Sequence, residues 1–214
     1  MSAEKSIVWP QVFAVNTRLA LRVSLPLSAA LLLATPLVFS ITYLDAQSSA
    51  TVLERFVSLI GVLLFTSLFL PEQGEGADLR GLMRSKEFPL GGVYTLRIAA
   101  AGIAGLLLIS LFGMAMWLFG CEFPVEYLFG ALANAVFLGG LGCLACALSE
   151  NIIVGYLIPL AWYGCNLFNA PERLGPFALF TLYPAGGLDG KLTLLLAGLL
   201  LLTAAAAFAQ RRRP

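Results

Sequence analysis

The chain has 214 residues, of which 59% are hydrophobic and only 12% are charged, and its formal net charge is +1. So few polar side chains cannot coat a soluble domain with this much apolar material, and a nearly neutral chain offers no concentrated basic face for nucleic acid. These values therefore predict an all-α integral membrane protein that has no nucleic-acid partner.

Six apolar runs are considered as membrane spans, since crossing the hydrocarbon core takes about 20 apolar residues. They cover residues 23–44, 51–70, 98–120, 127–149, 152–170 and 192–210. The second run is the weakest, because Glu54 and Arg55 leave only about 15 uncharged residues before Pro71. The prediction is a single membrane domain over residues 1–214 with six transmembrane helices.

Two further apolar segments are predicted to lie along the bundle without crossing the membrane. Residues 6–22 place Pro10 near a helix start and carry Arg18 and Arg22 on one stripe, which suits an interfacial helix. Residues 174–188 contain prolines and glycines and are too short to span. They are predicted to form an external re-entrant or interfacial segment packed against protein, where broken helical backbone is tolerated.

The basic residues indicate the orientation, because Lys and Arg in short loops collect on the cytoplasmic side of a membrane. One side of the six-span layout holds ten of the 13: Lys5, Arg18, Arg22, Arg80, Arg84, Lys86, Arg97, Arg211, Arg212 and Arg213. Arg55, Arg173 and Lys191 are assigned to the other side. Both termini and the loop after the second span are therefore predicted to be cytoplasmic. The Ala, Leu, Gly and Arg bias favours a bacterial inner (plasma) membrane.

The loop at residues 72–89 combines an apolar strip with charges of both signs. Leu79, Leu82 and Met83 have the spacing of one helix face, and Pro89 ends the segment. The charges are four acids and three bases: Glu72, Glu75, Asp78 and Glu87 with Arg80, Arg84 and Lys86. A mixed-sign surface suits a groove on a soluble protein better than an anionic leaflet, although an amphipathic helix resting on lipid is the alternative.

This loop resembles the one after the second span in permease subunits of type-2 ATP-binding-cassette (ABC) transporters, with an acid-rich start, then Leu79 and Leu82, a short basic stretch and Pro89. The run from Ser149 to Asn151, followed by Gly155 and Tyr156, resembles the hairpin between the fourth and fifth spans of that family. The broken stretch before the last span resembles its external re-entrant region. The chain departs from the pattern by placing glycines at 74, 76 and 81, which weaken a helix.

The resemblance implies a specific assembly and mechanism. Two such permease subunits, identical or different, would pair, and two copies of an ABC ATPase subunit would dock on the cytoplasmic side, with ATP and Mg bound in the ATPase. Residues 72–89 would be the coupling helix, with these ATPase-coupling residues: Glu72, Glu75, Asp78, Leu79, Leu82, Met83 and Arg84. The chain has no Gly-x-x-x-x-Gly-Lys-[Ser/Thr] phosphate loop, so no ATPase site of its own is predicted. Export of a peptide, drug or lipid-like cargo would follow.

Polar residues within the predicted spans are candidates for the translocation path. They are Tyr156, Tyr163 and Asn166 in the fifth span and Thr35 and Ser40 in the first. Ordinary hydrogen bonding between helices is the alternative reading. No acid or base is expected deep inside any span, which disfavours an ion-driven pump and favours energy supplied by a partner. Cys143 and Cys146 lie within the fourth span beside glycines and are expected to pack rather than bind metal.

Three other functions are considered. A haem-exporter permease shares the six-span layout. The S subunit of a vitamin importer also has about six spans, but its second loop is expected to be shorter. An intramembrane enzyme is less favoured, because the chain has no histidine and no paired aspartate motif. No cofactor or metal site is predicted in this chain.

Overall fold

The computed structural model describes residues 9–69, 90–169, 171–183 and 188–211. All regular structure in these residues is helical. The α-helices are α1 (Trp9–Val38), α2 (Ala46–Thr51), α3 (Ile60–Thr66), α4 (Leu90–Leu118), α5 (Glu126–Ser149), α6 (Ile152–Phe168), α7 (Pro171–Leu174) and α8 (Leu188–Arg211). A π-helical turn (Val52–Phe56) and a 3₁₀ turn (Val57–Leu59) join α2 to α3, and further 3₁₀ turns follow α3 (Ser67–Phe69) and α7 (Gly175–Phe177).

Five helical runs are long and apolar enough to cross a membrane: Leu21–Val38, Ala46–Thr66, Gly92–Leu118, Glu126–Ser149 and Gly190–Gln210. We call Ala46–Thr66 the second span. Helix α6 is equally apolar but has 17 residues, so it is about 26 Å long at 1.5 Å per residue. The all-α part of the prediction is confirmed for the described residues, and five of the six predicted spans correspond to helical runs long enough to cross a membrane.

Several helix boundaries differ from those predicted. Helix α1 is continuous from Trp9 to Val38, so no break separates the predicted interfacial helix from the first span, and the helix ends six residues before the predicted limit. The second span begins at Ala46, because the Asp45 side chain accepts the backbone N–H of Ser48 and caps the helix. Helix α4 begins at Leu90 and therefore includes Arg97, which was predicted to lie before the span.

Helix α5 is the buried centre of the bundle, and the second span and α8 run parallel to it. In both cases residue numbers rise together along the contact. The contacting pairs are Gly61–Ala135 and Thr66–Gly142 for the second span, and Lys191–Asn134 and Gly198–Phe137 for α8. The three helices therefore point in the same direction through the bundle.

The other three long helices run in the opposite direction. Helix α6 is antiparallel to α5, and α4 is antiparallel to the second span, while α1 runs alongside α4. The pairs that define this are Gly155–Gly142 beside the α5–α6 turn, and Arg97–Leu68 and Gly105–Leu64 for α4. For α1, residues 17–25 line one groove with residues 100–111 of α4, and residues 29–36 line a second groove with residues 108–115, so the residue numbers of α1 and α4 rise together. Successive long helices thus alternate in direction. We call the two ends of the bundle the Glu126 end and the Ser149 end.

Close approach around α5 depends on glycine. A Cβ atom at Gly61 would overlap the backbone of Ala135, and one at Gly198 would lie 2.7 Å from the backbone nitrogen of Phe137. Backbone atoms cannot move aside as a flexible side chain can, so these two positions hold the second span and α8 against α5. Small residues serve this purpose in membrane bundles generally, since apolar lipid provides little hydrophobic force between helices.

We predict that Gly61→Ala lowers the free energy of unfolding by about 2 kcal/mol, because the added methyl group forces α3 away from α5. Gly164→Ala in α6 is the matched control, since nothing lies within 4 Å of a Cβ atom placed at Gly164. The control is expected to be neutral or slightly stabilising, by up to about 1 kcal/mol. Thermal unfolding of both variants in detergent micelles checks this, and equal losses in the two would contradict it.

Candidate functional site

A short non-helical segment enters the bundle near the Glu126 end. We call residues 178–182 the inserted segment. Ala178, Leu179 and Leu182 are buried, and no helix or strand is formed here. It belongs to the predicted re-entrant region, whose residues 184–187 lie outside the described part of the chain. The Ala178 N–H donates to the Gly175 carbonyl at 3.1 Å, and the other backbone groups of this non-helical segment need partners from surrounding helices.

The carboxylate of Glu54 provides one set of partners. Its Oε1 atom accepts the backbone N–H groups of Thr181 at 3.0 Å and Leu182 at 3.1 Å. Glu54 lies in the π-helical turn of the second span and is only 4% exposed. The same oxygen also accepts the ammonium group of Lys191 at 2.6 Å, which makes a buried ion pair.

Lys191 lies in the first turn of α8 and is completely buried. Its ammonium group donates to Glu54 Oε1, to Asn134 Oδ1 at 3.1 Å and to the carbonyl oxygen of Leu179. An ammonium group has three protons, so each has an acceptor. The amide of Asn134 also donates to the Leu179 carbonyl, at 2.8 Å. The second span, α5, α8 and the inserted segment therefore meet in one network.

This pair corrects the predicted place of Lys191, which was put on the external side just before the last span. Lys191 instead lies inside the helical run Gly190–Gln210, in the first turn of α8, and is buried against Glu54 of the run Ala46–Thr66. The prediction missed this because it used positions along the chain, whereas the two side chains neutralise each other inside the fold.

Two predicted path residues on α6 support the same segment. Asn166 accepts the backbone N–H of Leu179 at 2.7 Å and donates to the carbonyl of Trp162 at 2.9 Å. The Tyr163 hydroxyl donates to the backbone carbonyl of Arg55 at 2.9 Å. Its ring meets that of Phe180 edge-on, with centroids 5.5 Å apart.

The other predicted site residues lie elsewhere. Tyr156 is half-buried on α6, the Thr35 hydroxyl donates to the Leu31 carbonyl of its own helix at 2.9 Å, and Ser40 shares a hydrogen bond with Thr42. The structure therefore brings Tyr163 and Asn166 to the inserted segment, but not Thr35 or Ser40. The seven predicted coupling residues, from Glu72 to Arg84, lie outside the described residues.

Sequence reasoning missed Glu54, Lys191 and Asn134 as site residues. A signal was present, because Glu54 interrupts an otherwise apolar run and Asn134 lies within another. An acid inside a span normally has a partner inside the protein. Among the bases of the chain, Lys191 is a candidate partner, because it immediately precedes the last apolar run.

A second buried base lies nearer the Ser149 end. Arg97 of α4 is 2% exposed and donates to the carbonyl of Leu68 at 3.2 Å, while its guanidinium carbon lies 6.0 Å from the centre of the Tyr94 ring. Arg97 thus contacts the 3₁₀ turn Ser67–Phe69, which follows α3. Arg97 was predicted to lie just before the third span, but it lies within α4.

The cysteines and the comparisons with known proteins add little to the site. Cys143 and Cys146 are buried, and the Cys143 thiol donates to the carbonyl of Phe65 at 3.0 Å. Among the described residues, no three His, Cys, Asp or Glu side chains converge as a metal site would require. No protein family, curated protein or solved structure matches this chain. Function is therefore inferred from the geometry.

We predict that Lys191→Met and Glu54→Gln each lower the free energy of unfolding by about 3–5 kcal/mol, because each leaves one buried charge without its partner. The double variant is expected to lose much less than the sum, since no charge remains buried in it. Glu126→Gln, an exposed acid at the same end, is the control and should cost at most about 1 kcal/mol. Denaturation in detergent micelles measures all four, and additive losses would contradict direct coupling.

Proposed function

We propose that this chain is the permease subunit of an ABC-type exporter and that separate ATPase subunits supply its energy. The observation that supports this most is the alternation of the long helices. The helical run that ends at Phe69 and the helix that begins at Leu90 meet the Ser149 end, so the segment between them starts and finishes there. The hairpin at Glu150 and the end of α8 share that end.

The basic residues support a cytoplasmic location for the Ser149 end. Ten of the 13 Lys and Arg residues belong to chain segments that begin or finish there, and such residues are retained on the cytoplasmic side. On this proposal residues 72–89 face the cytosol, where their apolar strip and mixed charges dock an ATPase subunit. Docking that differs between nucleotide states shifts the population of permease conformations.

The inserted segment supports the transport part of the proposal. It lies at the Glu126 end, opposite the proposed docking surface, and it closes the bundle there by contacts with the second span, α5, α6 and α8. Tyr163 and Asn166 then act on the path by holding this closure. Paired with a second permease subunit, the chain would carry a partly apolar cargo, consistent with spans whose exposed side chains are apolar.

The buried ion pair favours a second candidate, an ion-driven carrier. Ionisable groups inside a span commonly mark ion or proton pathways, and Glu54 with Lys191 supplies such groups. All three ammonium protons of Lys191 have protein acceptors. This favours a structural role for the pair over a role in ion binding. The two candidates differ in whether transport requires ATP hydrolysis or follows an imposed ion gradient.

We predict that changing Leu79, Leu82 and Met83 to Asp reduces the ATPase activity that co-purifies with the tagged chain at least tenfold. Anchoring apolar side chains of a docked helix dominate binding, and carboxylates cannot enter an apolar groove. Val125→Asp is the control, because Val125 is exposed at the opposite end. Undiminished ATPase activity with the triple variant, or none with the unmodified chain, would contradict the proposal.

We also predict opposite accessibility for Arg84→Cys and Arg173→Cys, each made in a chain whose exposed Cys165 is replaced by Ser. A membrane-impermeant maleimide added to intact cells should label position 173 and spare position 84, while inverted membrane vesicles should give the reverse. Labelling of position 84 from outside would place the proposed docking loop on the wrong side of the membrane.

A further inference from the structure

Besides the packing of its buried side chains, the inserted segment is attached to the bundle by hydrogen bonds between side chains of the helices and its own backbone. The backbone of Leu179 alone makes three such bonds. Its carbonyl accepts from Asn134 and Lys191, and its N–H donates to Asn166. Glu54 accepts the backbone N–H groups of Thr181 and Leu182. These side chains come from four different helical elements. A shift of any one element relative to the others therefore loosens the segment.

The ion pair has a special position among these contacts. Glu54 and Lys191 each hold the segment and also hold each other, so separating them removes hydrogen bonds from both halves of the segment. Apolar side chains of similar volume often stabilise a fold as well as a buried ion pair does. Such a pair is therefore suited to specifying one position of the inserted segment, and the segment can take another position when the pair separates.

The local backbone at Glu54 is also irregular. The residue lies in a π-helical turn followed by a 3₁₀ turn, in a run that is otherwise α-helical on both sides. Mid-helix changes of this kind often mark functional positions, because the hydrogen-bond pattern can change register at low cost. At the other side of the pair, Lys191 lies in the first turn of α8, from which a long side chain can extend to the membrane surface.

We propose that the Glu54–Lys191 ion pair is a latch that holds the inserted segment in the bundle. When the pair separates, the segment leaves and opens the space between the second span, α5 and α8 at the Glu126 end. Lys191 then extends towards the surface, and Glu54 faces the water that enters. The use of this opening as an exit for cargo rests on the proposed function, but the latch itself does not.

The test measures how fast a thiol in the segment reacts. Ala178→Cys places a small thiol at a buried position, in the full chain with Cys165 replaced by Ser. Purified protein in detergent micelles is treated with maleimide, so that both ends are accessible and no ATPase is required. The same protein with Ala178 retained gives the background from the three buried cysteines.

Labelling at position 178 follows the fraction of molecules in which the segment has left the bundle. Adding Glu54→Gln or Lys191→Met should raise the rate at least tenfold, since breaking a buried pair shifts the balance strongly towards opening. Glu126→Gln should leave the rate unchanged. Equal rates in all of these proteins would overturn the latch.

Charge-conserving variants decide the matter if the neutral ones fail to fold. Glu54→Asp and Lys191→Arg keep both charges, so neither leaves an unpaired ion, but each changes the reach of one side chain. A latch predicts labelling faster than that of the parent for Glu54→Asp, because the shorter carboxylate cannot hold Lys191 and the Thr181 and Leu182 N–H groups together. Folded Glu54→Asp protein that labels at the parental rate would overturn the proposal. Because this assay uses no nucleotide, its failure is distinct from a failure of ATPase docking.

Discussion

The arrangement at the Glu126 end follows from the need to give every buried backbone polar group a hydrogen-bond partner. A helix meets this need internally, but residues 178–182 are not helical and are surrounded by apolar side chains. Side chains must therefore supply the partners. Glu54, Asn134, Asn166 and Lys191 do so, and their own burial is acceptable because each is hydrogen-bonded to protein.

This network depends in turn on the close packing around α5. Asn134 can reach both Lys191 and Leu179 only if α8 lies near α5, and the glycine contact at Gly198 brings the two backbones together. Gly61 does the same for the second span, which carries Glu54. The helix contacts and the polar network thus support each other, because the glycines set the distances that the hydrogen bonds require.

Hydropathy predicted the approximate position of the long helices, because apolar length alone decides which segments can cross a membrane. It did not predict their ends, since a boundary such as Ala46 is set by a capping side chain at Asp45 rather than by charge. The polar residues on α6 were found because they stand out in an apolar run. Glu54 was treated only as a weakness of the second run, and Lys191 was placed just before the last one. Their pairing was missed because it joins residues 137 positions apart, and hydropathy examines one stretch of chain at a time.

Long helices connect the two ends of the bundle, and under the proposed function they would link the docking surface to the inserted segment. Helix α5 has 24 residues, about 36 Å at 1.5 Å per residue, and it contacts the second span and α8 along its length. Close-packed helices do not deform continuously but move between discrete arrangements. A displacement imposed at the Ser149 end would therefore reach the Glu126 end as relative motion of these helices. The ion pair joins two of them, and this makes it the contact most sensitive to such motion.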